Sequence, residues 1–131
     1  MAKMKTESVE FTTEKSLQQI VAILRQATSE LKATMETVDS GGDALSKFDG
    51  PTDSDIQVVL SGRLGCIGGL KHPRMGSMQN DWAVQVYVDD MGTARHVQLV
   101  ALGQSVFVDC HGALNMGGSR ERQEYLANAL R

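Results

Sequence analysis

Two periodicities divide this chain, one of two residues and one of three to four, and they mark its elements. In Ser8–Thr13 Val9 and Phe11 alternate with polar neighbours, the spacing of a half-buried strand. From Glu14 to Lys32 the spacing changes. Leu17, Ile20, Val21, Leu24 and Leu31, with Thr28 between them, fall on one helical stripe, while Gln18, Gln19, Arg25, Gln26 and Glu30 take the opposite face. Thr12 or Thr13 is placed to cap this helix, and Glu14 suits its positive end.

Strand patterns return at Thr34–Val38 and at Ile56–Gly62, separated by a stretch rich in glycine, serine and aspartate that reads as a surface loop. The clearest alternation is at Asp81–Asp90. Trp82, Val84, Val86 and Val88 line one face there, and Gln85, Tyr87 and Asp89 the other, before Asp90-Met91-Gly92 supplies a hairpin turn. A returning strand over "ARHVQLVAL", a further strand at Ser105–His111, and a C-terminal helix capped by Ser119 complete the series. Tyr125, Leu126, Ala129 and Leu130 give that helix its apolar side.

The predicted order is therefore β-α-β-β-β-β-β-α. This is an α+β fold in two layers, a mostly antiparallel sheet of five to six strands with a long N-terminal and a shorter C-terminal helix on one face. With 131 residues, 41% hydrophobic and 22% charged, the chain is sized and composed for one globular domain spanning 1–131. Its formal charge of −3 disfavours a surface that attracts nucleic acid as a whole, and neither an RNP-type aromatic pattern nor zinc-finger spacing occurs. No run of apolar residues reaches membrane-spanning length, and no apolar segment follows the N-terminal lysines. Two cysteines make no disulfide framework, so a cytoplasmic protein is expected.

Chemistry concentrates in one stretch, Gly62–Asn80. It holds Arg63, Lys71 and Arg74 and no acidic residue from Ile56 to Asn80, whereas Glu36–Asp55 carries Glu36, Asp39, Asp43, Asp49, Asp53 and Asp55 against only Lys47. Glycines at 62, 65, 68 and 69 let backbone amides approach an anion, with the three cations neutralising it and His72 and Asn80 adding hydrogen bonds. The stretch is not a P-loop, because Lys71 lies between Leu70 and His72, and it lacks the G-x-G opening of a dinucleotide site. A solvated connection, or a flexible contact surface using Met75 and Met78, accounts for the same residues.

Cys66, His72, His96, Cys110 and His111 are zinc-type ligands, but no C-x-x-C or H-x-x-x-H spacing joins them. No metal or other cofactor is expected. Cys66 has the identity of a thiol nucleophile if His72 or His96 serves as base and Asp89, Asp90 or Asp109 orients it; a packed loop thiol is the plainer account.

The leading expectation is a non-catalytic binding or interaction domain that presents a basic, glycine-rich loop (62–80) to a protein partner or small anionic ligand. An enzyme with a pocket between sheet and first helix, using Cys66, His72, His96 and Tyr87, ranks second. A homo-oligomeric structural subunit, joined through whichever edge strand stays open, ranks third.

Overall fold

The computed structural model describes residues 5–38, 54–67, 78–103 and 113–131. Its elements are β1 (Lys5–Thr13), α1 (Leu17–Glu30), β2 (Thr34–Thr37), β3 (Ile56–Ile67), β4 (Met78–Asp90), β5 (Arg95–Gly103), β6 (Ala113–Leu114) and α2 (Met116–Leu130). This is the α+β order read from the pattern. The strands form one sheet, β1-β5-β4-β3-β2, antiparallel throughout, and the two-residue β6 joins β4 in parallel at Asn80 and Asp81. The strand predicted at Ser105–His111 lies outside the described residues.

The helix α1 forms where the apolar stripe predicts it, but it starts later. Ser16 is the cap: its Oγ accepts from the Gln19 amide at 3.1 Å, and Gln19 Oε1 accepts from the Ser16 amide at 2.8 Å, a reciprocal capping box. Thr12 and Thr13 are instead the last residues of β1, paired with His96 and Arg95, so Glu14 precedes the helix. No glycine ends it; the chain turns away through Lys32 at φ 53°. The C-terminal helix α2 has 15 residues against 14 in α1, so the second helix is not the shorter.

Both helices cover the same face of the sheet. Ile20, Leu24 and Ala27 of α1 and Leu126, Ala127 and Leu130 of α2 pack on Leu60, Trp82, Val84, Val86, Val88, Val97 and Leu99. Each fully buried aliphatic or aromatic side chain of this layer contributes about 1.5–3 kcal/mol. The opposite face is buried at its centre as well, through Val59, Ala83, Tyr87, Val100 and Leu102 with Val38 and Leu114. Strand alternation accounts for this division, and Gln85 and Tyr87 share the second face as the pattern predicts.

Two side chains of α2, Ser119 and Gln123, tie the helical layer to the sheet. Ser119, expected as a cap, lies inside α2 and is fully buried; its Oγ donates to the Leu102 carbonyl at 2.7 Å and accepts from the Ala83 amide at 3.0 Å. Asn115 caps α2, accepting from the Gly118 amide at 2.7 Å. One turn further on, Gln123 Nε2 donates to the carbonyls of Glu7 and Leu99 at 2.8 and 2.9 Å. At the other end of the sheet Arg95 donates to the carbonyls of Glu14, Lys15 and Gly92 and pairs with Asp90 at 3.3 Å. Gly92, at φ 93°, makes the predicted hairpin turn. Its amide, and then Arg95, hold the Asp90 carboxyl below the usual carboxylate range.

Candidate functional site

β3 and β4 are the longest strands, with 12 and 13 residues, and they pair from Ile56↔Val88 to Ile67↔Met78. Their neighbours stop early. β2 ends its pairing at Thr34↔Ser61, and β5 ends its pairing with β4 at Ala83↔Leu102. Beyond those points the two strands run on as a ribbon, braced by β6 at Asn80 and Asp81. From Ala83 to Met78 the extension is about 17 Å at the rise of an extended strand.

The base of the ribbon is shaped by two glycines. A Cβ at Gly62 would meet the Trp82 indole at 2.6 Å, so the absence of a side chain there lets the buried tryptophan lie across its register partner. A Cβ at Gly118 would meet Leu64 Cδ1 at 2.5 Å, and α2 thereby seats its first turn against β3. The register shifts between Arg63 and Gly65, a bulge that leaves Leu64 without an opposite residue. Bulges of this kind bend a strand and re-aim its side chains.

Cations gather at this end. Arg63 is exposed and stands opposite Asp81 in the ladder. Arg122 lies over the Trp82 ring, 5.5 Å from its centroid, and reaches Glu121 at 3.2 Å. Arg120 pairs with Glu7 at 3.4 Å, and Lys5 opens β1 opposite Gly103. Arg120 is exposed and Arg122 partly so, and each has a carboxylate beside it, Glu7 and Glu121.

The ribbon changes the reading of the glycine-rich run. Arg63, Cys66 and Asn80 belong to strands rather than to a loop: Cys66 stands opposite Gln79, and Asn80 lies between Gly65 and Ala113. Of the glycines that suggested a loop, Gly62 admits Trp82 and Gly65 follows a bulge, while Gly68 and Gly69 lie outside the described residues. Lys71, His72 and Arg74 lie outside the described residues, as do Cys110 and His111.

Other predicted combinations are separated. Cys66 faces Gln79 at one end of β4 and His96 faces Asp89 near the other, about 33 Å along the strand, so the two cannot share a proton. His96 Nε2 lies 3.8 Å from Glu10 Oε1. Tyr87 is buried on the face opposite α1 and donates to Gln85 Oε1 at 3.0 Å, which removes it from any pocket beneath that helix. Burial pushes its phenol up to about 12.

The described concavity in the helical layer is a groove of about 160 Å³ between α1 and α2, lined by Ile23, Gln26, Ala27, Glu30, Tyr125 and Ala129. Tyr125 donates to Glu30 across it, and this bond, followed by that from Gln26, holds the Glu30 carboxyl below its ordinary range. Among the described residues no three His, Cys, Asp or Glu side chains are grouped to hold a metal ion, and no helix is long and apolar enough to cross a membrane. The stacking of Arg122 on Trp82 and the seating of Gly118 on Leu64 had no signal in the sequence, since each joins positions tens of residues apart. Neither a family model nor a curated protein matches the chain.

Proposed function

We propose that the chain is a non-catalytic binding domain of the cytoplasm, whose β3–β4 ribbon presents residues 62–80 to a protein partner or small anionic ligand. The observation that supports this reading is that β3 and β4 stay paired for about 17 Å beyond their last pairing with β2 and β5, with Trp82 in the core at the base and β6 against Asn80 and Asp81. Arg63 at the ribbon's base and Lys71 and Arg74 between its strands supply positive charge, and His72 and Asn80 supply hydrogen bonds.

An amide-resolved NMR titration of the whole chain with inorganic phosphate, a nucleoside triphosphate and a hexaglutamate peptide tests the proposal. Saturable shifts confined to residues 62–80 and the adjoining strand ends are expected. Each of these cations contributes about 0.2–1 kcal/mol to such binding. Alanine at Arg63, Lys71 and Arg74 together then weakens Kd roughly 3- to 150-fold. No saturable shift with any of the three probes, or an unchanged Kd in the triple variant, refutes it.

A further inference from the structure

The strand β1 is an edge of the sheet, and among the described residues no strand pairs with its outer side. It runs for nine residues in unbroken register with β5, and it contains neither proline nor bulge. Open ladders of this length are ready templates for pairing.

Gln123 shows which backbone groups face outward. Its Nε2 reaches the carbonyls of both Glu7 and Leu99, so those two carbonyls meet in the gap between β1 and β5. Because N–H and C=O of one residue point the same way and alternate along a strand, Lys5, Glu7, Val9, Phe11 and Thr13 turn theirs to β5. Thr6, Ser8, Glu10 and Thr12 turn theirs outward, and all four residues are exposed.

We infer that β1 pairs with β1 of a second copy of this chain, antiparallel, about a two-fold axis through Val9. A two-fold axis perpendicular to the sheet opposes residues of like parity. Centred on Glu7, it would set two carboxylates against each other; centred on Ser8, it would set Thr12 and Thr13 past Lys5, the first described residue of the partner strand. Centred on Val9 it pairs the whole strand, with Lys5 opposite Thr13, Thr6 opposite Thr12, Glu7 opposite Phe11, and Ser8 opposite Glu10. No like charges stand directly opposite in that register; the two Glu10 carboxylates lie on the diagonal across the axis. Glu7 instead lies beside a Phe11 whose ring carries the Arg131 guanidinium, 5.0 Å from its centroid, so opposite charges face each other on the helical side. On the other side the Ser8 hydroxyl can donate to Glu10. The outward pairs Thr6/Thr12 and Ser8/Glu10, each formed twice, exchange about eight main-chain hydrogen bonds.

The dimer is independent of the ribbon's ligand, but it arranges the ribbons. The two sheets join into one, and the ribbons project from its opposite ends.

Sedimentation of the full chain from micromolar to millimolar concentration tests this, beside Ser8→Pro. Proline at position 8 removes an outward amide and leaves the β1–β5 ladder intact. A concentration-dependent dimer that becomes monomeric in Ser8→Pro, with unchanged circular dichroism, is expected. A monomer at every concentration, or a dimer unaffected by Ser8→Pro, overturns the proposal. Should Ser8→Pro unfold, Val9→Cys decides: at the two-fold axis its Cα atoms lie about 4.5 Å apart, within disulfide range. Covalent dimer on oxidation, beyond that of the parent chain with Cys66 and Cys110, supports the pairing, and none overturns it.

Discussion

Ser119→Ala should loosen the joint between the helical layer and the sheet. The Ser119 hydroxyl stands between the Ala83 amide and the carbonyl of its register partner Leu102, bonded to both at 3.0 and 2.7 Å and fully buried. Alanine deletes both bonds and leaves two buried backbone groups, each costing about 1–3 kcal/mol when unsatisfied. Two terms oppose that loss. Alanine returns about 0.5 kcal/mol of helix propensity, and partial closure of the gap between the two groups recovers some of the bonding. The net loss is about 2–4 kcal/mol. For a chain of 131 residues this lowers Tm by roughly 6–16 °C. Urea unfolding followed by the fluorescence of Trp82, the chain's one tryptophan, measures it directly. The comparison is Ser29→Ala on the exposed side of α1, which should stay within about 0.5 kcal/mol of the parent. Equal behaviour of the two variants would refute the bridging role of the hydroxyl.

Gly62→Ala brings a methyl group against the buried Trp82 ring and should cost about 1–3 kcal/mol, with a shift in tryptophan emission; unchanged emission and stability would mean that the indole has room to move. The raised phenol of Tyr87 bears on alkaline stability. Its contribution is fully present below the ordinary tyrosine value of 10 and is lost as pH rises to about 12, because the unfolded chain releases its proton first. Urea midpoints across that window should therefore fall less in Tyr87→Phe than in the parent, and parallel curves would count against burial as the cause.

The elements were legible where one face of a segment decides its structure. The stripe from Leu17 to Leu31 and the alternation from Trp82 to Val88 are both local, and both reappear in the fold. Boundaries were less legible because competing residues lie close together. Thr12, Thr13 and Ser16 are all capping residues, and the choice of Ser16 depends on Gln19 and on β1 continuing to pair with β5 through Thr13. Ser119 has the same ambiguity with Asn115; a hydroxyl near a helix start reads as a cap unless the sheet that needs it is known. In the candidate site, Gly62 and Gly65 mark a turn by local rules, yet Gly62 is a strand residue because Trp82 occupies the volume of its missing side chain. The local charge of Gly62–Asn80 could be counted from the sequence. That part of this segment lies on a projecting ribbon follows only from where β2 and β5 stop.

The pairing of the first strand with the fifth also orders the chain's assembly in time. Val9 meets Leu99, about 90 residues later, and Arg95 must be present before it can hold the carbonyls of Glu14 and Lys15. At about 5–20 residues per second, β1 waits roughly 5–20 s on the ribosome for its partner. During that interval the apolar stripe of α1 also lacks the sheet it will cover, because Val84, Val86 and Leu99 have not yet been made. The N-terminal third therefore cannot fold ahead of the rest, and a nascent chain stalled before β4 should present Val9, Phe11, Ile20 and Leu24 to chaperones.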